Sequence, residues 1–203
     1  GVPIAVCIGL STLTTMVMTM DFMPAATTIA QRMAGGLNSF ALLAIPLFIL
    51  SGQLMAQGGI ARRLVEFSKA MIGMVPGGLA FVNVISCTLF GAISGSSIAA
   101  TTAVGSFMIP EMKKEGYEPE FAAAVTVTSA TTGLLIPPSN TLIVYAVASG
   151  GVSIAALFVA GYVPGILISI ATIIVCAIYA RRHNFPAGER VPARVAMKYT
   201  VAA

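Results

Sequence analysis

The sequence predicts an all-α integral membrane protein. Of the 203 residues, 57% are hydrophobic and 9% are charged, whereas soluble domains carry about 25% charged residues. The charges are also confined to short clusters, because none occurs in residues 1–20, 33–61, 70–110 or 121–180. Each of these ranges can hold a membrane helix of about 20 residues, and the last can hold two. We therefore expect several helices that cross or enter a bilayer.

The N-terminal part of the chain, residues 1–59, predicts two membrane crossings. Val2 to Met20 is the first, and Ser39 to Gln57 is the second. We interpret Asp21 to Asn38 between them as a polar interruption. Because the chain begins inside apolar sequence without a Met, we expect it to be a fragment, with membrane sequence missing before it.

Residues 60–75 predict an interfacial arm, and its amphipathic helix, Ile60 to Ile72, follows a break at Gly58-Gly59. One helical face carries the apolar residues Ile60, Leu64, Phe67 and Met71. Charged side chains lie away from that face, which is typical of a helix in the membrane interface. An ordinary helix in a cytoplasmic loop is the alternative.

Residues 77–110 predict a re-entrant helical hairpin. The interruption at Gly91 to Ser97 leaves arms of about 12 and 13 residues, each reaching less than about 20 Å, against a hydrocarbon core of about 30 Å. Two arms that enter and leave on one face fit these lengths better than two full crossings, which remain the alternative.

Basic residues flank the hairpin on both sides. Arg62, Arg63 and Lys69 precede it, and Lys113 and Lys114 follow it. The positive-inside rule places both flanks in the cytoplasm, as a re-entrant hairpin requires.

Residues 119–148 predict a transmembrane helix that is broken near its middle, at Thr131 to Thr141. Pro137-Pro138 removes two backbone donors and disfavours helical geometry in the residue before each proline. Such a break persists only where protein or a polar cavity satisfies the freed backbone groups. The alternative is a proline kink that is packed against neighbours and holds no ligand.

Residues 149–180 predict a transmembrane helix that returns to the cytoplasm. Arg181-Arg182 marks its end, and the tail 181–203 is expected to be cytoplasmic because it is basic.

The hairpin tip and the break could together form a cation site. The oxygens would come from Ser94, Ser96, Ser97 and the tip carbonyls, and from Gly133, Ser139, Asn140 and Thr141. Neutral oxygens suit a dehydrated monovalent cation, and the apolar segments contain no acid for a proton relay. Sodium is therefore favoured. Close packing of small residues is the alternative explanation of the tip.

Several separated motifs occur in an order that resembles one transporter family. They are Asn38 to Pro46 (NSFALLAIP), Gly58 to Leu64 (GGIARRL), Ala92 to Ser97 (AISGSS), Gly116-Tyr117 with Phe121 to Ala124, and Leu135 to Ser139 (LIPPS). The sequence resembles the N-terminal half of the large, DctM-like permease subunit of tripartite ATP-independent periplasmic (TRAP) transporters.

This resemblance implies an ion-transporter-superfamily fold of the elevator type, built from two inverted repeats, of which this chain contains one. Residues 1–59 would be scaffold helices, 60–75 an arm, 76–148 half of the transport domain, and 181–203 the link to a missing second repeat. The implied function is sodium-coupled import of a small organic acid, such as a C4-dicarboxylate, sialic acid or another sugar acid, across the bacterial inner membrane. The implied partners are a periplasmic substrate-binding protein and a small membrane subunit.

The resemblance also assigns site residues by position. Sodium would be bound by Ser94, Gly95, Ser96, Gly133, Ile136 and Pro137. The residues facing the substrate would be Ser97, Ser139, Asn140 and Thr141. No metal other than sodium is expected.

Other functions fit the sequence less well. An intramembrane protease needs a base beside its nucleophile, and the apolar stretches contain no His, Lys, Asp or Glu. A passive channel and a purely structural membrane subunit are two further candidate functions. The net charge is small, +4, and the basic residues form short clusters between apolar segments, as in membrane proteins whose topology they determine. We therefore expect no nucleic-acid binding.

Overall fold

The computed structural model describes residues 2–38, 40–183 and 185, and these residues form helices, turns and loops. They divide between two compact units, one within residues 1–42 and one within residues 43–203. The helices are α1 Ile4–Val17, α2 Phe22–Leu37, α3 Ala44–Gln57, α4 Ile60–Ile72, α5 Gly78–Ser94, α6 Ser97–Lys114, α7 Pro119–Ala130, α8 Asn140–Ala148 and α9 Ile154–His183. Short 3₁₀ turns occupy Phe40–Leu43 and Thr131–Leu134.

The first unit contains α1 and α2. The helix α1 coincides with the first predicted crossing but is shorter, with 14 residues, or about 21 Å. The prediction of a polar interruption at Asp21 to Asn38 was wrong, because α2 fills that range. Most of its residues are Ala, Met, Leu and other good helix formers, and Asp21 lies at the N-cap.

The second predicted crossing corresponds to the Phe40–Leu43 turn followed by α3; Ser39 lies outside the described residues. The chain then turns sharply, and α3 and α4 meet at an angle of 66°. Gly59 makes this turn possible, since its φ of 79° is in the left-handed region that favours glycine.

The helix α4 has the predicted bounds, but protein covers its buried face. The buried residues of α4 are Ala61, Leu64, Val65 and Ser68. The first three belong to the same hydrophobic core as residues of α5 and α6. Met71, which was expected on the apolar face, is 61% exposed. An ion pair between Lys69 and Glu111 also links α4 to the end of α6.

The helices α5 and α6 form an antiparallel hairpin. Near its open end, Asn83 Nδ2 lies 3.4 Å from Met112 Sδ. Near the tip, Gly91 faces Ala100, since a Cβ on Gly91 would lie 3.8 Å from the Ala100 methyl. Only Gly95 and Ser96 separate the two helices.

The predicted arm lengths were wrong, because α5 has 17 residues and α6 has 18. The helix α5 continues through Gly91 to Ser94, and α6 continues through Pro110 to Lys114. Gly91 is a contact residue inside the helix and not a breaker. Helix length alone therefore no longer distinguishes a re-entrant hairpin from two crossings.

The predicted break is confirmed: α7 ends at Ala130 and α8 begins at Asn140. The turn before α9 is also where it was expected, at residues 149–153. Among the described residues, α9 alone is a single helix long and apolar enough to cross a membrane, and the bent pair α3–α4 could count as a second span. Of the tail 181–203, residue 184 and residues 186–203 lie outside the described part.

We predict that Asn83→Ala destabilises the hairpin. Asn83 is fully buried, and its amide donates a 2.7 Å hydrogen bond to Thr126 Oγ1 of α7 and accepts one from the Cys87 thiol. Losing such a buried network costs about 1–3 kcal/mol. Thermal unfolding of the purified protein should show a lower melting temperature.

Thr102→Ala is the matched control, because the Thr102 hydroxyl is exposed and bonds to a carbonyl of its own helix. If both variants melt like the unmodified protein, the Asn83–Thr126 bond does not hold α5 to α7.

Candidate functional site

The hairpin tip is a tight turn made by Gly95 and Ser96. Gly95 has a φ of 63°, which ends α5 in the left-handed region. Ser96 is the N-cap of α6, since its hydroxyl accepts a 3.3 Å hydrogen bond from the Ala99 amide. Ser94 is 1% exposed and donates a 3.4 Å bond to the Ser96 carbonyl. The tip is therefore an ordered turn with neutral oxygens.

The break between α7 and α8 is ordered by one serine. Ser139 is fully buried; its hydroxyl donates a 2.6 Å bond to the Leu134 carbonyl and accepts a 3.3 Å bond from the Leu142 amide. Ser139 is thus the N-cap of α8, and it closes the loop that contains Pro137 and Pro138.

The tip and the break touch each other. The backbone N–H of Asn140 donates a 3.4 Å hydrogen bond to the Gly95 carbonyl. A Cβ on Gly95 would lie 2.7 Å from the Pro138 carbonyl oxygen, so only glycine fits at this point of the tip. The N-termini of α6 and α8 are brought close together by this contact.

A second contact between two glycines holds the hairpin against the 3₁₀ turn. A Cβ on Gly91 would lie 2.7 Å from the Gly133 Cα, and a Cβ on Gly133 would lie 2.6 Å from the Gly91 Cα. The two backbones are therefore in direct contact one helical turn before the tip. Small residues commonly allow such close approach in membrane proteins.

The helix α9 supports the break from another side. A Cβ on Gly161 would lie 2.2 Å from the Leu135 carbonyl oxygen, and one on Gly165 would lie 2.5 Å from Ile136 Cγ1. The Ile136 side chain consequently packs on α9. Sequence reasoning missed this role of α9, although the spacing Gly161-x-x-x-Gly165 was a visible signal.

Buried hydroxyl groups that the sequence did not single out extend the site inward. Thr132 Oγ1 donates a 3.2 Å bond to Thr88 Oγ1, which lies 3.3 Å from Ser169 Oγ. Three further buried oxygens, Ser86 Oγ, Ser129 Oγ and Asn140 Oδ1, have no hydrogen-bond partner within the part of the chain that the structure describes. Buried polar atoms without partners are uncommon and costly, so these atoms are candidates for contact with a ligand or water.

A cavity of about 300 Å³ lies beside the tip. The tip contributes Ser94 and Ser96, and α3 contributes Gly52 and Gln53. A Cβ on Gly52 would lie 3.2 Å from Ser94 Cβ, so α3 approaches the tip closely. Gln53, an exposed amide in an apolar helix, was not predicted as a site residue.

The predicted site residues lie at or near the tip and the break. Gly95 and Asn140 form the contact between them. Ser94 and Ser96 belong to the tip, Ser139 caps α8, and Gly133 touches Gly91 one helical turn before the tip. Ser97 is half-buried in the first turn of α6, and Pro137 is half-buried in the break, whereas Thr141 is exposed. The side chain of Ile136 faces α9, which leaves its main chain as the part available to a cation.

Comparison with known proteins places this architecture in a family. The profile of the family described as "Tripartite ATP-independent periplasmic transporter, DctM component" matches residues 1–203. The chain belongs to the DctM family. This is the family that the sequence motifs predicted.

Individual relatives agree with this assignment. An uncharacterized protein of Salmonella typhimurium, YgiK, is 53% identical over 194 residues, which are 96% of this chain and 45% of that protein. The C4-dicarboxylate TRAP transporter large permease protein DctM of Vibrio cholerae is 42% identical over 98% of this chain and 43% of its own length. The isethionate TRAP transporter permease protein DctMQ of Oleidesulfovibrio alaskensis is 39% identical over 91% of this chain and 29% of its own length. The chain thus spans less than half the length of these relatives.

We predict that Gly91→Ala and Gly133→Ala each disrupt the DctM chain. An added methyl would overlap backbone atoms, which cannot move aside as a flexible side chain can, and overpacking of this kind costs about 1–3 kcal/mol or more. Thermal unfolding of each purified variant measures the loss.

Gly35→Ala is the matched control, because nothing lies within 4 Å of a Cβ at that helical position. Equal stability of Gly91→Ala and Gly35→Ala would contradict the direct backbone contact.

Proposed function

We propose that this chain forms one half of the sodium and substrate site of a TRAP permease that imports a small organic acid. The observation that carries the proposal is the contact of the hairpin tip with a broken helix at Gly95 and Asn140. Two helix breaks that meet inside a membrane protein are a common basis of ion and substrate sites in transporters.

Sodium is the favoured ion because the available ligands are neutral oxygens. Residues 70–110 and 121–180 contain no Asp, Glu, Lys or Arg, so a protonatable group is missing from the segments that form the contact. The ligands would be main-chain carbonyls of the tip and the break, with the hydroxyl groups of Ser94 and Ser96. Gly133, Ile136 and Pro137 would contribute main-chain oxygens from the break. The unpartnered Asn140 Oδ1 is an additional oxygen that could face the ion or the substrate.

The hairpin is best explained as re-entrant. Charged residues begin at Glu111, so the uncharged part of α6 runs from Ser97 to Pro110, or about 21 Å, which is shorter than the hydrocarbon core of about 30 Å. The tip also lies against the middle of the segment 119–148. If that segment spans the membrane, the tip is at mid-depth and both hairpin ends are cytoplasmic.

The substrate would be an organic anion, bound where the N-termini of α6 and α8 converge. Helix N-termini attract negative charge, and Ser97, Ser139, Asn140 and Thr141 would face the substrate. Relatives carry names for C4-dicarboxylate, isethionate, ectoine and sialic acid permeases. These compounds differ widely, but most of them are organic anions.

The proposed mechanism is an elevator movement in the bacterial inner membrane. The hairpin and the broken helix, within residues 76–148, would move against scaffold helices in residues 1–59, and the arm 60–75 would connect the two. The core packing of α4 and its ion pair to Glu111 support an arm that moves with the hairpin. A second repeat would supply the other half of the site, with residues 181–203 as the cytoplasmic link.

The partners would be a small membrane subunit and a periplasmic substrate-binding protein. The family description, which calls the transporter tripartite, supports both partners. The relative named DctMQ carries the letters of the large subunit (M) and the small subunit (Q) in one name, which supports the small membrane subunit. The binding protein would capture the solute and deliver it to the permease.

The decisive experiment measures uptake of labelled organic acids by the complete transporter in liposomes, with an imposed sodium gradient. We expect uptake to require sodium and the binding protein. Ser94→Ala and Asn140→Ala should each raise the sodium concentration needed for half-maximal uptake about tenfold, which corresponds to ~1.4 kcal/mol for a lost ligand.

Ser149→Ala is the control, since Ser149 lies in the turn after α8, away from the tip and the break. Uptake driven equally well by a proton gradient contradicts sodium coupling. Flux that never exceeds equilibrium indicates a channel. Unchanged sodium dependence in both site variants overturns the site assignment.

A further inference from the structure

A groove of about 440 Å³ runs along the surface between α7 and α9, and it is separate from the tip and the break. Apolar or small side chains line it, among them Phe121, Ala124 and Thr128 of α7 and Ala171, Val175 and Tyr179 of α9. The small residues Ala124 and Ala171 make the surface concave, and Val175 is 60% exposed. The groove is thus open to the surroundings along its length.

The groove has the length of one membrane leaflet. On α9 its lining residues run from Ile168 to Tyr179, which corresponds to about 16 Å at 1.5 Å per residue. Half of a hydrocarbon core of about 30 Å is about 15 Å. A single acyl chain lying along α9 would therefore fill the groove from the bilayer centre to the headgroups.

Aromatic rings mark the headgroup end. The rings of Phe121 and Tyr179 stack at 4.0 Å with an angle of 8° between their planes. Tyr117 and Phe185 stack beside them, also at 4.0 Å. Aromatic side chains collect at the membrane interface. Charged residues lie among these aromatic residues in the sequence, with Glu118 and Glu120 between Tyr117 and Phe121, and Arg181 and Arg182 between Tyr179 and Phe185.

Charged side chains of both signs lie at this mouth, with Glu118 and Glu120 at the start of α7 and Arg181 and Arg182 at the end of α9. Arg182 is exposed and continues the helical stripe of Val175 and Tyr179, at spacings of seven and three residues. Glu118 accepts a 2.7 Å hydrogen bond from the Tyr179 hydroxyl. A cation and a carboxylate beside an apolar groove complement a headgroup that carries both a phosphate and an ammonium group.

We propose that this groove binds phosphatidylethanolamine. One acyl chain lies between α7 and α9, the phosphate contacts Arg182, and the ammonium group contacts Glu118. The bound lipid fills the space between the first half of the broken helix and α9, so it supports the α7–α9 pair. This site is independent of the transport proposal, since it requires only that α7 and α9 are embedded in the membrane.

Native mass spectrometry of the complete permease complex tests the acyl-chain site. The complex is delipidated in detergent, mixed with phosphatidylethanolamine, and the bound lipids are counted. Ala171→Leu fills the groove, and we expect this variant to retain one lipid fewer than the unmodified complex. Ala155→Leu is the matched control, because Ala155 is exposed on α9 but lies about 160° around the helix from Ala171.

Equal lipid counts for Ala171→Leu and Ala155→Leu would overturn the proposal. So would release of a protein subunit or loss of the complex in Ala171→Leu alone, because a helix of the permease or of a partner would then cover the groove.

Headgroup recognition is tested with the same assay in a mixture of phosphatidylethanolamine and phosphatidylglycerol. Arg182→Gln should weaken retention of both lipids about tenfold, whereas Arg181→Gln, one position away on the exposed surface, should not. Glu118→Gln should reduce the preference for phosphatidylethanolamine and leave phosphatidylglycerol unaffected. An unchanged lipid preference in Glu118→Gln, or equal effects of the two arginine variants, would contradict the assignment of the headgroup contacts.

Discussion

A helix that breaks inside a bilayer frees backbone groups, and lipid cannot satisfy them. Our proposal places the break between α7 and α8 inside the bilayer, and this constraint then accounts for the contacts around the break. The Ser139 hydroxyl hydrogen-bonds to the Leu134 carbonyl and to the backbone N–H of Leu142. The Gly95 carbonyl accepts a hydrogen bond from the backbone N–H of Asn140. The hairpin thus satisfies one backbone group of the break, and contacts at Gly91 and Gly95 bring the two backbones close together.

The same arrangement leaves oxygens that the protein does not use. The hydroxyl groups of Ser94, Ser96 and Ser139 make local hydrogen bonds. Asn140 Oδ1 and two buried serine hydroxyl groups have no hydrogen-bond partner among the described residues. A charged group at this depth would be expensive without its partner, and the surrounding sequence contains none. We propose that such a site binds a small cation through neutral oxygens and releases it, as a coupled transporter requires.

Local signals in the sequence predicted the features that depend on local chemistry. Gly59 and Pro137-Pro138 interrupt helices by their own conformational limits, and the amphipathic pattern gave the bounds of α4 correctly. The meeting of the tip and the break was predicted from their shared oxygens, but the residue contacts that bring distant segments together were not predictable in this way. Gly91 looked like a helix breaker because its partner, Gly133, lies more than forty residues away, and the arms were therefore predicted too short. The role of Gly161 and Gly165 also depends on a distant neighbour, the loop at Leu135 and Ile136.

The most direct test of this account is a cryo-electron microscopy map of the complete permease in a lipid nanodisc with sodium, where the disc marks both membrane surfaces. The account predicts Gly95 near the middle of the bilayer, against Pro138 and Asn140, with an ion between the tip and the break. Gly95 at a membrane surface, or separated from Asn140 by lipid, would contradict it.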